Sequence, residues 1–242
     1  MNVKEHYNNH LGKFYSWMIG DFENKKNEFK NFLNENKIIP TDSKNALDLG
    51  CGNGIQSQAL IECGFKVIAI DFDKNLLKEL SDKNLNNIKI INDDIKNFEN
   101  YLFSKPELII CAGDTISHLE NKKEIEVFLS NLAANLKEKG KIVLSFRDYS
   151  NKLEGNDRFI PVKSDENKIL TCILDYELEK VRVTDLLYEK DINNNWVQKV
   201  SSYFKIRISK QEIITFLENA NMKIILDSFT NRMINIIAEK NA

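Results

Sequence analysis

The sequence predicts a doubly wound α/β fold. Three observations carry that expectation. Short, continuous apolar runs alternate with amphipathic helical stretches between residues 45 and 146. A glycine-rich turn directly follows the first of those runs, and an aspartate ends the second. Continuous apolar strands belong to a sheet covered on both faces, and a glycine turn after its first strand is the usual ligand crevice of such a sheet. The expected product is a Rossmann-like, mostly parallel seven-stranded sheet with helices on both faces, plus a small antiparallel β insertion after strand five.

Each element has its own signal. "FYSWMIGDFENKKNEFKNFLNENK" spaces Phe22, Phe29, Phe32 and Leu33 at helical intervals, and Pro40 closes that region. "NALDLG" reads as the first strand, followed by a helix over 55–63 that Gly64 stops. "KVIAID" is the second strand and "KNLLKELSDK" its helix; "IKIIN" is the third. "ELIICA" is the fourth, followed by a helix over 122–137 ending at Gly140; "KIVLSF" is the fifth. After Tyr149 no convincing helix follows until Ser209, which with Glu212 forms a capping box for a helix reaching Ala220. The stretch between reads as antiparallel strands with "DINNNW" as a hairpin turn. Its end alternates, with Phe204, Ile206 and Ile208 expected on one face and Lys205 and Arg207 on the other. "KIILDSF" and "MINIIAE" finish the chain as two strands joined at Thr230, Asn231 and Arg232.

The 242 residues fit one domain spanning 1–242, with residues 1–40 as a helical lid and 150–208 as a β insertion over the site. A net charge of −2 and a pI of about 6.0 leave no basic footprint for nucleic acid. Runs such as Lys25-Lys26 read as solvated faces. "MNVKEHYNNH" lacks a signal-peptide core, and no apolar run has membrane-spanning length. Cys51, Cys63, Cys111 and Cys172 form no CxxC pair and have no metal-ligand spacing, which points to reduced thiols in a cytoplasmic protein.

"ALDLGCGNGIQSQAL" carries the chemistry. Its glycines, Gly50, Gly52 and Gly54, let backbone approach a ligand, and Asp71 lies about 20 residues on, where a carboxylate accepts from ribose hydroxyls. Two features argue against a dinucleotide. Ile55 stands where GxGxxG needs its third glycine, and Asp48 would repel a pyrophosphate. Asp48 would attract an ammonium and a sulfonium instead. S-adenosylmethionine carries both and has no phosphate.

"ALDLGCGNG", "VIAIDFD" and "NDDI" together resemble the class I S-adenosylmethionine-dependent methyltransferases. The resemblance implies roles by position. The backbone from Gly50 through Cys51 and Gly52 to Gly54 would approach the methionine part, and Asp48 would serve its amino group. Asp71 would hold the ribose, Phe72 would lie against the adenine, and Asp94 with the Ile95 amide would meet the adenine edge. Cys111 and Gly113, at the end of strand four, complete the cofactor candidates, although Cys111 also reads as a small core residue. Tyr7, Tyr15 and Trp17 are candidates for a lid over the sulfonium, or for the buried face of an amphipathic helix.

For the methyl acceptor, "CAGDTISHL" lacks the Pro-Pro-Tyr run of enzymes acting on DNA bases and protein glutamine. "AGDTISHL" and "SFRDYSNKLEG" are similar to runs in glycine and sarcosine N-methyltransferases. That similarity implies that Arg147 grips a substrate carboxylate, with Asp114 and His118 nearby; an ion pair of Arg147 with Asp114 or Asp148 is the competing reading. The expected activity is N-methylation of a small, carboxylate-bearing amine. A non-catalytic S-adenosylmethionine-binding module and an NAD-dependent oxidoreductase are the alternatives. The sequence does not fix the oligomeric state.

Overall fold

The computed structural model describes residues 2–241. Five parallel strands form the expected centre: β1 (Asn45–Leu49), β2 (Lys66–Asp71), β3 (Ile88–Asn92), β4 (Leu108–Cys111) and β5 (Lys141–Phe146). β10 (Met222–Thr230) and β11 (Met233–Lys240) add an antiparallel hairpin beside β5, giving the order β10-β11-β5-β4-β1-β2-β3. That hairpin turns on Asn231 and Arg232, which both have positive φ, as a two-residue turn between twisted strands requires.

Apolar side chains fill both faces of this sheet. One cluster is built around Leu47, Ile109, Leu144 and helix α6 (Lys122–Asn135). The other lies under α4 (Ile55–Glu62), α5 (Lys74–Ser81) and α3 (Phe22–Glu35) around Val67, Leu108 and Leu33. Burial on both sides explains why the strands read as unbroken apolar runs. The predicted helix before Pro40 is interrupted: Gly20, at φ 94°, separates α2 (Tyr15–Ile19) from α3. A further helix, α1 (Val3–Asn9), precedes them. The Lys25-Lys26 pair is not wholly solvated. Lys26 is buried, with its Nζ between Glu23 at 2.6 Å and Glu62 at 2.8 Å, so its charge is neutralised where it packs.

After β5 the chain forms a second sheet of four antiparallel strands, in the order β6 (Phe159–Ser164), β7 (Lys168–Tyr176), β8 (Lys180–Lys190) and β9 (Trp196–Ile206). Here the sequence alternation holds only in part. Ile206 and Ile208 are buried as expected, but before them Ser201, Tyr203 and Lys205 form the buried row of β9, and Phe204 is exposed. The inner face is polar where it meets the site, so hydrophobicity does not mark it. Helix α7 (Lys210–Asn219) then follows Ser209, whose hydroxyl accepts from Glu212 N–H and completes the capping box.

Candidate cofactor and acceptor site

At the carboxyl edge of β1 the chain turns sharply through Gly50 (φ 73°) and Gly54 (φ 87°) into α4. Only glycine fits these two positions. A Cβ at Gly50 would overlap the Thr115 side chain, and one at Gly54 would overlap Leu80. The Gly50 N–H donates to Ile70 O at 2.8 Å, which ties the turn to β2. At the end of β2, Asp71 accepts from Gly52 N–H and from Asp73 N–H, both at 2.8 Å. Burial pushes its carboxyl up to about 6, against the lowering effect of those two N–H groups.

A cavity of about 370 Å³ opens above this turn. The glycine loop contributes Gly50 and Gly52; Asp71 and Phe72 come from the end of β2; Asp94 and Ile95 follow β3. Gly113 and His118 reach it from the loop after β4, and Tyr15 from α2. Residues with no local motif complete it: Tyr7 from α1, Thr115 and Leu119. Thr115 closes against Gly50, a contact that "AGDTISHL" does not announce.

The cavity fits an adenosine ligand that bears no phosphate. Asp71 offers a carboxylate for ribose hydroxyls, and Phe72, Ile95 and Leu119 give apolar walls for a purine; the lining also holds Lys4 of α1 and Lys96 after β3, the latter paired with Glu124. Asp94 partly serves its own loop, since its side chain accepts from Lys96 N–H at 2.9 Å.

Several sequence-predicted residues lie outside the cavity lining. The Asp48 carboxylate turns under the loop, where the Ser57 hydroxyl donates to it at 2.6 Å; burial pushes it up to about 7. The Cys51 and Cys111 side chains are packed in the two cores, Cys51 from the glycine turn and Cys111 as the last residue of the buried strand β4. Gly54 sits against Leu80 rather than a ligand. Trp17 turns to the second sheet and donates its indole N–H to Asp165 at 2.5 Å.

Beyond His118, outside the cavity lining, lies a buried polar cluster under the second sheet. Asp114, in the left-handed conformation at φ 72°, accepts from Arg147 N–H at 3.0 Å, Tyr149 OH at 2.8 Å and Lys205 Nζ at 2.5 Å. Burial raises the Asp114 carboxyl, but the Lys205 charge outweighs this and holds it below its ordinary range. The Arg147–Asp114 contact is thus a backbone bond, and the ion pair belongs to Lys205, which the sequence reading overlooked. Asp148 accepts from Ser150 N–H at 2.8 Å and Lys210 N–H at 3.2 Å. Among the described residues the Arg147 guanidinium has no hydrogen-bond or ion-pair partner, and the residue is exposed. His118 is held neutral: burial, then the Lys205 ammonium, pushes it down to about 3. Its Nε2 is 3.4 Å from the Tyr7 hydroxyl, and its Nδ1 is buried without a partner.

Residues 46–140 match the family described as methyltransferase domain. A glycine/sarcosine N-methyltransferase of Parasynechococcus marenigrum (strain WH8102) is 27% identical over 116 residues, 47% of this chain and 41% of that enzyme. Glycine N-methyltransferase of Mus musculus is 24% identical over 214 residues, covering 79% of this chain and 71% of its own length. The match thus spans less than half of the first relative and about two thirds of the second. Among solved structures, an S-adenosylmethionine-dependent methyltransferase from Clostridium acetobutylicum ATCC 824 superposes with a TM-score of 0.74 at 17% identity, covering 92% of this chain and 93% of its own. That likeness establishes the shared fold. Among the described residues no helix is long and apolar enough to cross a membrane. Glycine turn, fold and family match agree: residues 46–140 carry a methyltransferase domain on the fold of the S-adenosylmethionine-dependent methyltransferases, with S-adenosylmethionine as its cofactor.

Proposed function

We propose that the protein methylates the nitrogen of a small amine that carries a carboxylate. The observation that carries this reading is Arg147. Its guanidinium stands at the carboxyl edge of β5 with no acidic partner among the described residues, while Asp114 and Asp148 are committed elsewhere. An unpaired guanidinium fork suits a carboxylate. The two relatives named above are N-methyltransferases of glycine or sarcosine, which supports the same class.

The cofactor supplies an electrophilic methyl on a sulfonium. The protein's task is to present a neutral nucleophile in line with it and to exclude water. His118 and Tyr7 both line the cavity. A neutral His118 can hydrogen-bond the amine without adding positive charge beside the sulfonium, and its free Nδ1 leaves a position to do so. Tyr7, whose hydroxyl is pushed well above its ordinary range by burial, stays protonated and shares the other ring nitrogen. Arg147 holds the far end of the acceptor. Asp114 keeps the loop after β4 in place and is not free to act as a base.

The test is a panel of carboxylate-bearing amines assayed for S-adenosylhomocysteine release, with wild type and Arg147→Lys compared. Arg147→Lys is expected to raise the acceptor KM at least tenfold and to leave the cofactor Kd within twofold. Turnover of an acceptor without an anionic group, undiminished in Arg147→Lys, would overturn the carboxylate reading. Transfer to a hydroxyl in place of an amine would overturn the nitrogen.

A further inference from the structure

The N-terminal arm does two things at once. Val3, Lys4 and Tyr7 of α1 form part of the cofactor cavity wall, and the same helix is fastened to the second sheet on its other side. The fastening is polar and fully enclosed. His6 is 0% exposed, Asp185 of β8 2% and Ser201 of β9 7%. The His6 ring spends both nitrogens there: Nδ1 lies 2.8 Å from Ser201 Oγ and Nε2 3.1 Å from Asp185 Oδ2. Its face lies on Tyr203, ring centres 4.1 Å apart. The other Asp185 oxygen accepts from the Cys172 thiol at 3.0 Å.

His6 immediately precedes Tyr7, which touches the cavity. The Tyr7 ring meets Phe72 edge-on at 5.4 Å and His118 at 5.7 Å. A bulky cofactor held between the glycine turn and α1 cannot leave through that wall while α1 stays docked. Apolar contacts of Leu11 and Phe14 with Leu170 and Leu187 hold the rest of the arm. They are non-directional and tolerate sliding. The His6 hydrogen bonds do not, because undocking α1 breaks two buried, directional bonds at once.

We propose that His6 is a positioning residue that locks α1 over the bound cofactor through Asp185 and Ser201, so that opening of this latch sets the rate at which S-adenosylhomocysteine leaves. The proposal concerns cofactor exchange and stands whatever the methyl acceptor is.

The arm carries its own reporter, since Trp17 lies on it and Trp196 is the other tryptophan of the chain. In a Trp196→Phe background, S-adenosylhomocysteine dissociation is followed by stopped-flow fluorescence, alongside limited proteolysis of residues 3–19 with and without the ligand. His6→Ala is expected to speed dissociation at least tenfold and to remove the ligand's protection of the arm. His6→Phe keeps the packing on Tyr203 while losing both hydrogen bonds, and serves if His6→Ala does not fold; the same acceleration is expected. Asp185→Asn retains an acceptor for His6 and is expected to dissociate within threefold of wild type. A merely structural role would lower the melting temperature and leave the dissociation rate alone. Dissociation changed by less than threefold in a folded His6→Ala or His6→Phe protein would overturn the latch.

Discussion

The two halves of the site are built by different means. On the cofactor side, backbone does the shaping: a turn through Gly50 and Gly54, N–H groups of Gly52 and Asp73 on Asp71, and a loop capped by Asp94. On the side of the second sheet and the N-terminal arm, side chains from distant segments do it: Asp114 with Lys205, Tyr7 with His118, His6 with Asp185. A backbone cradle tolerates no added atoms. A side-chain chamber tolerates change as long as no buried charge loses its partner.

That contrast can be broken at its most expensive point. Lys205→Met leaves Asp114 charged and enclosed, 2% exposed, without its cation. Breaking a buried pair from one side costs about 3–5 kcal/mol. A drop of that order in denaturant midpoint stability is expected, with most of it restored by adding Asp114→Asn. Equal instability of the double variant would show that the chamber is held by shape and not by charge.

On the other side, Gly50→Ala is expected to cut cofactor affinity by about 100-fold or more, the loss of roughly 2.7 kcal/mol. Its Cβ would overlap Thr115 in a left-handed backbone. Thr115→Ala in the same chain removes the overlapping atoms and is expected to recover part of the affinity by titration calorimetry. Full affinity in Gly50→Ala alone would mean that the turn does not shape the site.

Asp71→Ala is expected to weaken cofactor binding by about 10- to 100-fold, since it removes charge-assisted bonds to the ribose. It also orphans the Gly52 and Asp73 N–H groups, so a stability loss of about 2 kcal/mol accompanies it. Calorimetry showing unchanged affinity would take Asp71 out of the site.

The smallest effect is the most specific. Asp48 titrates near 7 in the folded protein, above its ordinary 3.8, because it is buried. The folded state therefore binds this proton more tightly than the unfolded chain, and the group's contribution to stability falls as pH rises from about 4 to about 7. Asp48→Asn can still accept from Ser57 and carries no charge. Relative to wild type, its melting temperature is expected to improve as pH rises from 5 to 8, with the gap closing at the acidic end. Cofactor affinity should rise over the same window in wild type as Asp48 and Asp71 ionise, and less so in Asp48→Asn. A pH-independent difference between the two proteins would mean that Asp48 does not titrate there.

The same contrast explains what could be read from the sequence. The alternating strands and helices and the antiparallel insertion were legible because burial on both faces writes itself as local apolar runs. Gly50, Asp71 and Phe72 could be grouped from sequence because they follow or end the adjacent parallel strands β1 and β2, and the structure brings them to one cavity. Lys205 was not: its partner Asp114 is 91 residues away, and on β9 it occupies the row that alternation alone assigns to solvent. The His6–Asp185 contact spans 179 residues and gives no local signal at all. Arg147 was visible as a strand-end arginine, but the commitment of its acidic neighbours to other groups appears only in three dimensions.

The central claim is that this cavity takes a cationic adenosine ligand without phosphate, and thermal melting tests it most directly. With S-adenosylmethionine at about 100 times its Kd, binding to the folded state adds about 2.7 kcal/mol, roughly 5–10 °C for a chain of this size. NAD, whose pyrophosphate would lie above the Asp48 charge and a turn without a third glycine, is expected to leave the melting temperature unchanged. A shift with NAD larger than that with S-adenosylmethionine would contradict the account.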